Sequence, residues 1–311
     1  MGDLDPFNDP VESLSGQELR DHMFETNTQL AEEVRREIAT IFTELFARCS
    51  RTHAFLVFMN ACIVRFLRAN RSGIIVSRAV DYREHPDILE SFITRFYYLS
   101  DSQRGIDTTV TCISKPSTPQ AYLDLANSSS DLSSSARTQS SPFWRIEMPH
   151  AANTLSHAFV GVPRKDPEAL ISRGTPTFYV YDSETQEVYF LKDGWRADVD
   201  GMQSEADVLQ ELKRNGVPHV PEYVAGGDMA ELSECQKTKS CDYVDKPWRA
   251  GRLREMIPRV HYWFLQKCAG KPLDKFKNGE EFVQALRDAL EGVYKIRWVQ
   301  LLLIVCHQLQ C

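Results

Sequence analysis

Closely spaced cysteines are missing from this sequence. Eight cysteines are present, at 49, 62, 112, 235, 241, 268, 306 and 311, but no two stand as Cys-x-x-Cys. Structural zinc sites take such paired ligands, so a zinc-bound fold is not expected. His150 and His157 have no cysteine beside them, and no metal is expected there. Cys235 and Cys241 are near enough to pair in an oxidising compartment, yet nothing else points to one, and eight reduced thiols are expected. Long apolar runs are missing too. The run Leu301–Cys306 falls far short of the roughly 18 residues that a membrane helix needs. Met1–Pro10 carries acidic residues and proline, not the basic start and apolar stretch of a secretory signal. A clustered basic surface is also lacking: the formal charge is −7 and both signs are spread along the chain. Nucleic acid and membrane are therefore not expected as partners, and the expected location is cytoplasmic or nuclear.

What is present suits a folded chain. With 311 residues, 42% of them hydrophobic, a large core can be buried in one or two domains. Leu30, Val34, Ile38, Ile41 and Leu45 recur at helical spacing, with Glu32, Glu33, Arg35 and Arg36 on the wet side. Ala54–Met59, Cys62–Leu67 and Ile74–Val80 are rich in Phe, Val and Ile, and turn residues separate the last two. They predict strands joined by at least one hairpin. His85-Pro86-Asp87 predicts the start of a helix that carries Ile88, Phe92 and Phe96, since proline suits the first helical position.

Between Asn127 and Ser141 the composition turns almost wholly to serine and other small polar residues. Such a stretch buries too little to offset its ordering entropy and reads as a linker, with serine phosphorylation as the other reading. Beyond it, Phe143–Met148 and Ala158–Val162 are strand-like. Thr177–Tyr181 and Val188–Leu191 flank a polar loop and predict an antiparallel hairpin. Ser204 caps a helix through Leu212 that ends near Asn215-Gly216. Val260–Leu265 is a further strand. Asn278 with Glu281 predicts the cap of a last helix, whose inward face would carry Phe282, Leu286 and Leu290.

The order of these pieces resembles the small lobe of a protein kinase. Val188-Tyr189-Phe190-Leu191-Lys192 is similar to the strand whose lysine holds the α- and β-phosphates of ATP, and Glu205 sits where the partner glutamate of the next helix would be. Several longer pieces resemble the fungal-type protein kinase family. They are Phe190–Arg196, Gly216–Pro221, Gly270–Leu273 and Leu286–Gly292, with Arg71–Ser77, Arg95-Phe96 and Gly105-Ile106-Asp107 upstream. The resemblance runs from about Phe55 to Gly292 and implies phosphoryl transfer from ATP to protein Ser/Thr in full-length relatives. It implies an α+β architecture: a mixed α/β region over 1–125, a linker over 126–142, and a small-lobe-like domain over 143–291, built from an antiparallel sheet and one key helix. Residues 292–311 are expected to be an apolar tail from a truncated or misassigned gene end, the other reading being completion of the last helix.

The resemblance implies a nucleotide site made of Lys192, Glu205, Gly174, and the backbones of Gln266 and Cys268, with Leu265 as gatekeeper. Two departures follow. The phosphate-covering loop, Ser172-Arg173-Gly174-Thr175-Pro176, has one glycine, and Pro176 removes a donor. His-Arg-Asp and Asp-Phe-Gly, whose side chains position the nucleophile and hold Mg²⁺ in kinases, occur nowhere in the 311 residues. The expectation is a pseudokinase-like chain with weak or no ATP binding, with Mg²⁺ a cofactor only of full-length relatives and no catalytic residues of its own. Its protein partner or substrate is unspecified. A non-catalytic scaffold is the alternative. Asp193, Trp195 and Arg196 belong to the family-like signature without an assigned chemistry; Trp195 is expected to pack.

Overall fold

A computed structural model describes residues 5–113, 143–150, 153–165, 170–171, 174, 177–182, 184–229, 236–252, 256–267 and 276–309. Among these residues the protein is α+β, with five α-helices and two antiparallel sheets. After the short α1 (Gly16–Asp21), α2 (Gln29–Arg48) begins where the Thr28 side chain accepts a hydrogen bond from the Ala31 amide. Sequence spacing put Leu30 and Ile41 on the inward face of α2, but both are exposed, and the buried stripe runs through Ala31, Ile38, Phe42 and Phe46. Steps of four keep Ile38, Phe42 and Phe46 on one side, and two phenylalanines remove more apolar surface from water than Leu30 and Ile41 would.

The stripe packs on a first sheet made of β1 (His53–Asn60), β2 (Ile63–Asn70), β3 (Gly73–Val76) and β4 (Val80–Asp81). β1 pairs with β2, and β2 also pairs with β3 and β4. The single strand expected over Ile74–Val80 is broken because the Ser77 hydroxyl accepts from the Phe66 amide and Asp9 takes the Ala79 amide. Ala54, Leu67 and Ala69 face α2. The opposite face meets α3 (Pro86–Tyr98), where Phe92 stacks on Phe66 at 4.3 Å and Phe96 meets Phe55 edge-on at 5.8 Å. Arg65, almost wholly buried, binds Asp5, Asp9 and the Phe7 carbonyl, and so fastens the N-terminal segment to β2.

The second sheet contains β5 (Val110–Ile113), β6 (Phe143–His150), β7 (Asn153–Lys165), β8 (Thr177–Asp182), β9 (Val188–Ala197), β10 (Tyr223–Asp228) and β11 (Arg259–Gln266). Their spatial order is β10-β11-β9-β8-β7-β6-β5. The expected 177–191 hairpin is present, and its polar turn is organised by Asp182, which accepts from the Glu184 amide and the Thr185 hydroxyl. α4 (Glu205–Arg214) covers one face through Ala206, Leu209, Tyr262 and Phe264. The other face holds the larger apolar core, including Ile146, Val180, Leu191, Trp263 and Leu265.

α5 (Gly279–Leu309) starts as expected, with Asn278 Oδ1 accepting from the Glu281 amide, and its backbone continues through the apolar stretch at 301–306. Its orientation differs from the expectation. Leu286 and Leu290 face solvent, Leu290 at 69% exposure, whereas Gly292 is buried against the Pro218 carbonyl. A residue without a side chain permits the closest approach, so the Gly292 side turns inward and Leu290 outward. No helix among the described residues is long and apolar enough to cross a membrane.

Candidate nucleotide site

Alternation along β9 divides its side chains between the two faces of the sheet. Register places Lys192 opposite Phe264 and Asp193 opposite Trp263. Lys192 therefore shares the α4 face with Phe264, and its ammonium lies 5.5 Å from the centre of that ring. From α4, Glu205 reaches the same ammonium at 2.5 Å. The two side chains are 31% and 48% exposed, so the pair contributes at most about 1 kcal/mol to folding. An ammonium has three donors, and contact with one carboxylate leaves capacity for a further anion.

The first turn of α4 is held firmly. The Ser204 hydroxyl accepts from the Asp207 amide, and the Asp207 carboxylate accepts from the Ser204 amide and hydroxyl. With Asp207 filling the capping box, Glu205 points to Lys192. Tyr262, on the same face of β11, accepts a hydrogen bond from the Ala206 amide at 2.9 Å, and burial pushes its hydroxyl pKa up to about 12. One residue before Glu205 and one after it are thus tied in place.

Leu265, the expected gatekeeper, is on the wrong face. It pairs with Leu191 and lies in the core away from α4, while Phe264 is the β11 side chain beside Lys192. The one-residue difference reverses the side of the sheet. Gln266 ends β11, buried, paired with Phe190 and Tyr223. Cys268 lies outside the described residues. Gly174 stands against Arg71: it has φ +43°, and a Cβ there would lie 2.6 Å from the Arg71 guanidinium carbon.

The face behind Lys192 carries a polar cluster that sequence reasoning missed. Asp193 hydrogen-bonds His261 Nε2, and His261 Nδ1 lies 2.6 Å from Gln236 Oε1. The Gln236 amide donates to Asp107 at 3.0 Å, and Asp107 also accepts from the Thr109 amide and hydroxyl. With Asp193 and Asp107 ionised, both only accept, and the Gln236 nitrogen is committed to Asp107, so both ring nitrogens of His261 are placed to donate, the arrangement of an imidazolium. Burial pushes the His261 pKa down, but the charge and hydrogen bond of Asp193, with Asp107 behind, outweigh it and hold the pKa above the ordinary value. Trp195 is buried, stacked flat on this imidazole at 5.0 Å. Arg196, on the Lys192 side of β9, makes two bonds to Asp228 of β10, at 2.7 and 2.5 Å. A histidine inside the apolar run Val260–Leu265 was the available signal for this cluster.

The residues fit a phosphate better than they fit a metal. Among the described residues no group of three His, Cys, Asp or Glu side chains is arranged to hold a metal ion. A strand lysine beside a helix glutamate on an antiparallel sheet is compatible with a kinase-like domain. Comparison with protein families gives the same answer: the model of the fungal protein kinase family matches residues 14–298, and the chain belongs to that family. No curated protein and no solved structure matches it.

Proposed function

We propose that residues 143–291 form the nucleotide-holding small lobe of a protein kinase, with Lys192 receiving ATP phosphate and Glu205 keeping its ammonium in position. The single observation that carries this reading is the 2.5 Å contact between a lysine on β9 and a glutamate on the first turn of the next helix. Support also comes from the run of elements β7, β8, β9, α4, β10, β11, which follows the order that the kinase resemblance implies. Phe264 floors the site beside Lys192, and the end of β11 at Gln266 marks the adenine side.

In this reading the chain holds nucleotide and does not transfer phosphate. The 311 residues contain neither the His-Arg-Asp that would position the nucleophile nor the Asp-Phe-Gly that would hold Mg²⁺. Calorimetric titration with ATP tests it. Removing one charge-assisted bond costs about 1.5–3 kcal/mol, so Lys192→Ala is expected to weaken ATP binding roughly 10- to 100-fold. Equal, measurable binding by wild type and variant removes the assignment.

A second reading, a non-catalytic scaffold with a protein partner, is favoured by one observation. Val283, Leu286, Leu290, Val293 and Tyr294 are exposed at helical spacing along α5. Its test is the assembly state of Leu290→Glu, taken up below.

A further inference from the structure

The turn between β2 and β3 enters the second half of the molecule. Asn70 Oδ1 accepts from the amides of Ser72 and Gly73 and from the Ser240 hydroxyl. The Ser72 hydroxyl lies 2.7 Å from the Ile257 carbonyl and 2.8 Å from the Thr238 hydroxyl. Arg71, at the tip, is buried, with its guanidinium 4.7 Å over the Phe46 ring of the N-terminal core. From there it donates to the Leu170 carbonyl at 3.4 Å and fills the space beside Gly174. Leu170 and Gly174 both lie between β7 and β8, the connection that carries the expected phosphate-covering glycine. The electrostatic influence of Asp193, the residue after Lys192, also reaches the guanidinium.

The Gly174 contact explains a glycine that nucleotide chemistry alone would have claimed. Its left-handed backbone already favours glycine, and any Cβ would press on the guanidinium at 2.6–2.8 Å. A flat, rigid fork seated between an aromatic ring and a backbone fixes position as a flexible ammonium would not. Arg71 thus contacts the N-terminal core through Phe46 and the β7–β8 connection through two described residues.

We propose that Arg71 is a positioning residue for nucleotide binding: the N-terminal region sets the affinity for the phosphates by holding Leu170 and Gly174 in place. This inference rests on the reading of Lys192 as the phosphate-binding lysine and of Gly174 as the phosphate-covering glycine, and it assigns the first sheet a regulatory part in that site. Arg71 touches no nucleotide. Its effect falls on the phosphates and spares the adenine side at the end of β11.

The test is calorimetric titration of the full chain with ATP and separately with adenosine, for wild type, Arg71→Ala, Arg71→Lys, Gly174→Ala and the double variant, with Lys192→Ala as reference. Arg71→Ala is expected to weaken ATP about tenfold and leave adenosine within about twofold. Arg71→Lys falls between. Gly174→Ala weakens ATP by itself, and the double variant loses less than the two single losses combined, because the clash partner has gone. Wild-type ATP affinity in Arg71→Ala, beside a clear loss in Lys192→Ala, overturns the inference and spares the site. Equal losses of ATP and adenosine also overturn it, showing a merely structural role. Absence of ATP binding by wild type overturns both. Should Arg71→Ala not fold, Arg71→Lys and Gly174→Ala carry the same comparison.

Discussion

Replacing Asp193 by asparagine keeps the shape of the side chain and removes its charge from the buried imidazolium of His261. Taking away one partner of a buried ion pair costs about 3–5 kcal/mol when the remaining charge is stranded. Here the remaining charge retains Asp107, 3.5 Å from Nδ1, and the new carboxamide still offers an acceptor oxygen, so about 3 kcal/mol at pH 6 is expected. The pH dependence has a definite sign. The folded pKa of His261 is raised above the 6.5 of an unfolded chain. Folded protein therefore holds a proton that unfolded protein releases, and the contribution is full below pH 6.5 and lost as pH rises through the folded value. Wild type should lose stability on this account as pH rises above 6.5 through the folded value, and Asp193→Asn should lose much less. Urea unfolding at about pH 6 and about pH 9, followed by circular dichroism, measures both effects. An unchanged unfolding midpoint at pH 6, or the same alkaline slope in the two proteins, refutes the imidazolium.

Two further outcomes are expected. His53 behaves oppositely: burial and then the nearby Arg68, Arg51 and Lys239 charges lower its pKa to about 4. The unfolded chain takes up a proton that the folded one refuses, so stability falls as pH drops from 6.5 towards 4. The ceiling is about 3 kcal/mol, and about 1–2 kcal/mol remains after discounting for solvent screening. His53→Gln should flatten that acid limb in a urea series; an unaltered limb removes His53 as its cause. On α5, a charge placed in the exposed apolar stripe opposes self-association through it, so Leu290→Glu should show a smaller mean mass than wild type in light scattering. An identical mass distribution in wild type and variant removes the apolar stripe from the scaffold reading.

Local rules made much of the fold legible. The strands expected at 54–59 and 62–67, the hairpin expected over 177–191, the Ser204 cap and the Asn278 cap all depend on residues a few positions apart, and each is present. The errors came from distance. Leu286 and Leu290 have good helical spacing, but Gly292 docking on Pro218 decided which side of α5 turned inward. Leu265 was one residue away from the correct face because strand register, not order in the chain, determines what stands beside Lys192. Arg71, Asp107 and Asp193 were noticed as pieces of a resemblance without a role. Their roles depend on partners 68–129 residues away, such as Asp193 with His261 and Asp107 with Gln236.

The alternation of β9 joins these observations. Lys192 faces α4 and its glutamate, partly open to water. Asp193 faces the buried imidazolium, with the Arg71 guanidinium within its electrostatic reach. Moving Asp193 moves the backbone that bears Lys192, since the two side chains leave adjacent Cα atoms about 3.8 Å apart. The polar cluster reaching Asp107 and the Lys192–Glu205 pair are therefore mechanically one unit. The buried charges need a reason to exist, because apolar residues of similar volume often stabilise a core as well or better. Fixing β9 in a single register and angle is such a reason: an imidazolium held by Asp193 and backed by Asp107 tolerates little sliding, whereas a leucine contact would tolerate a good deal.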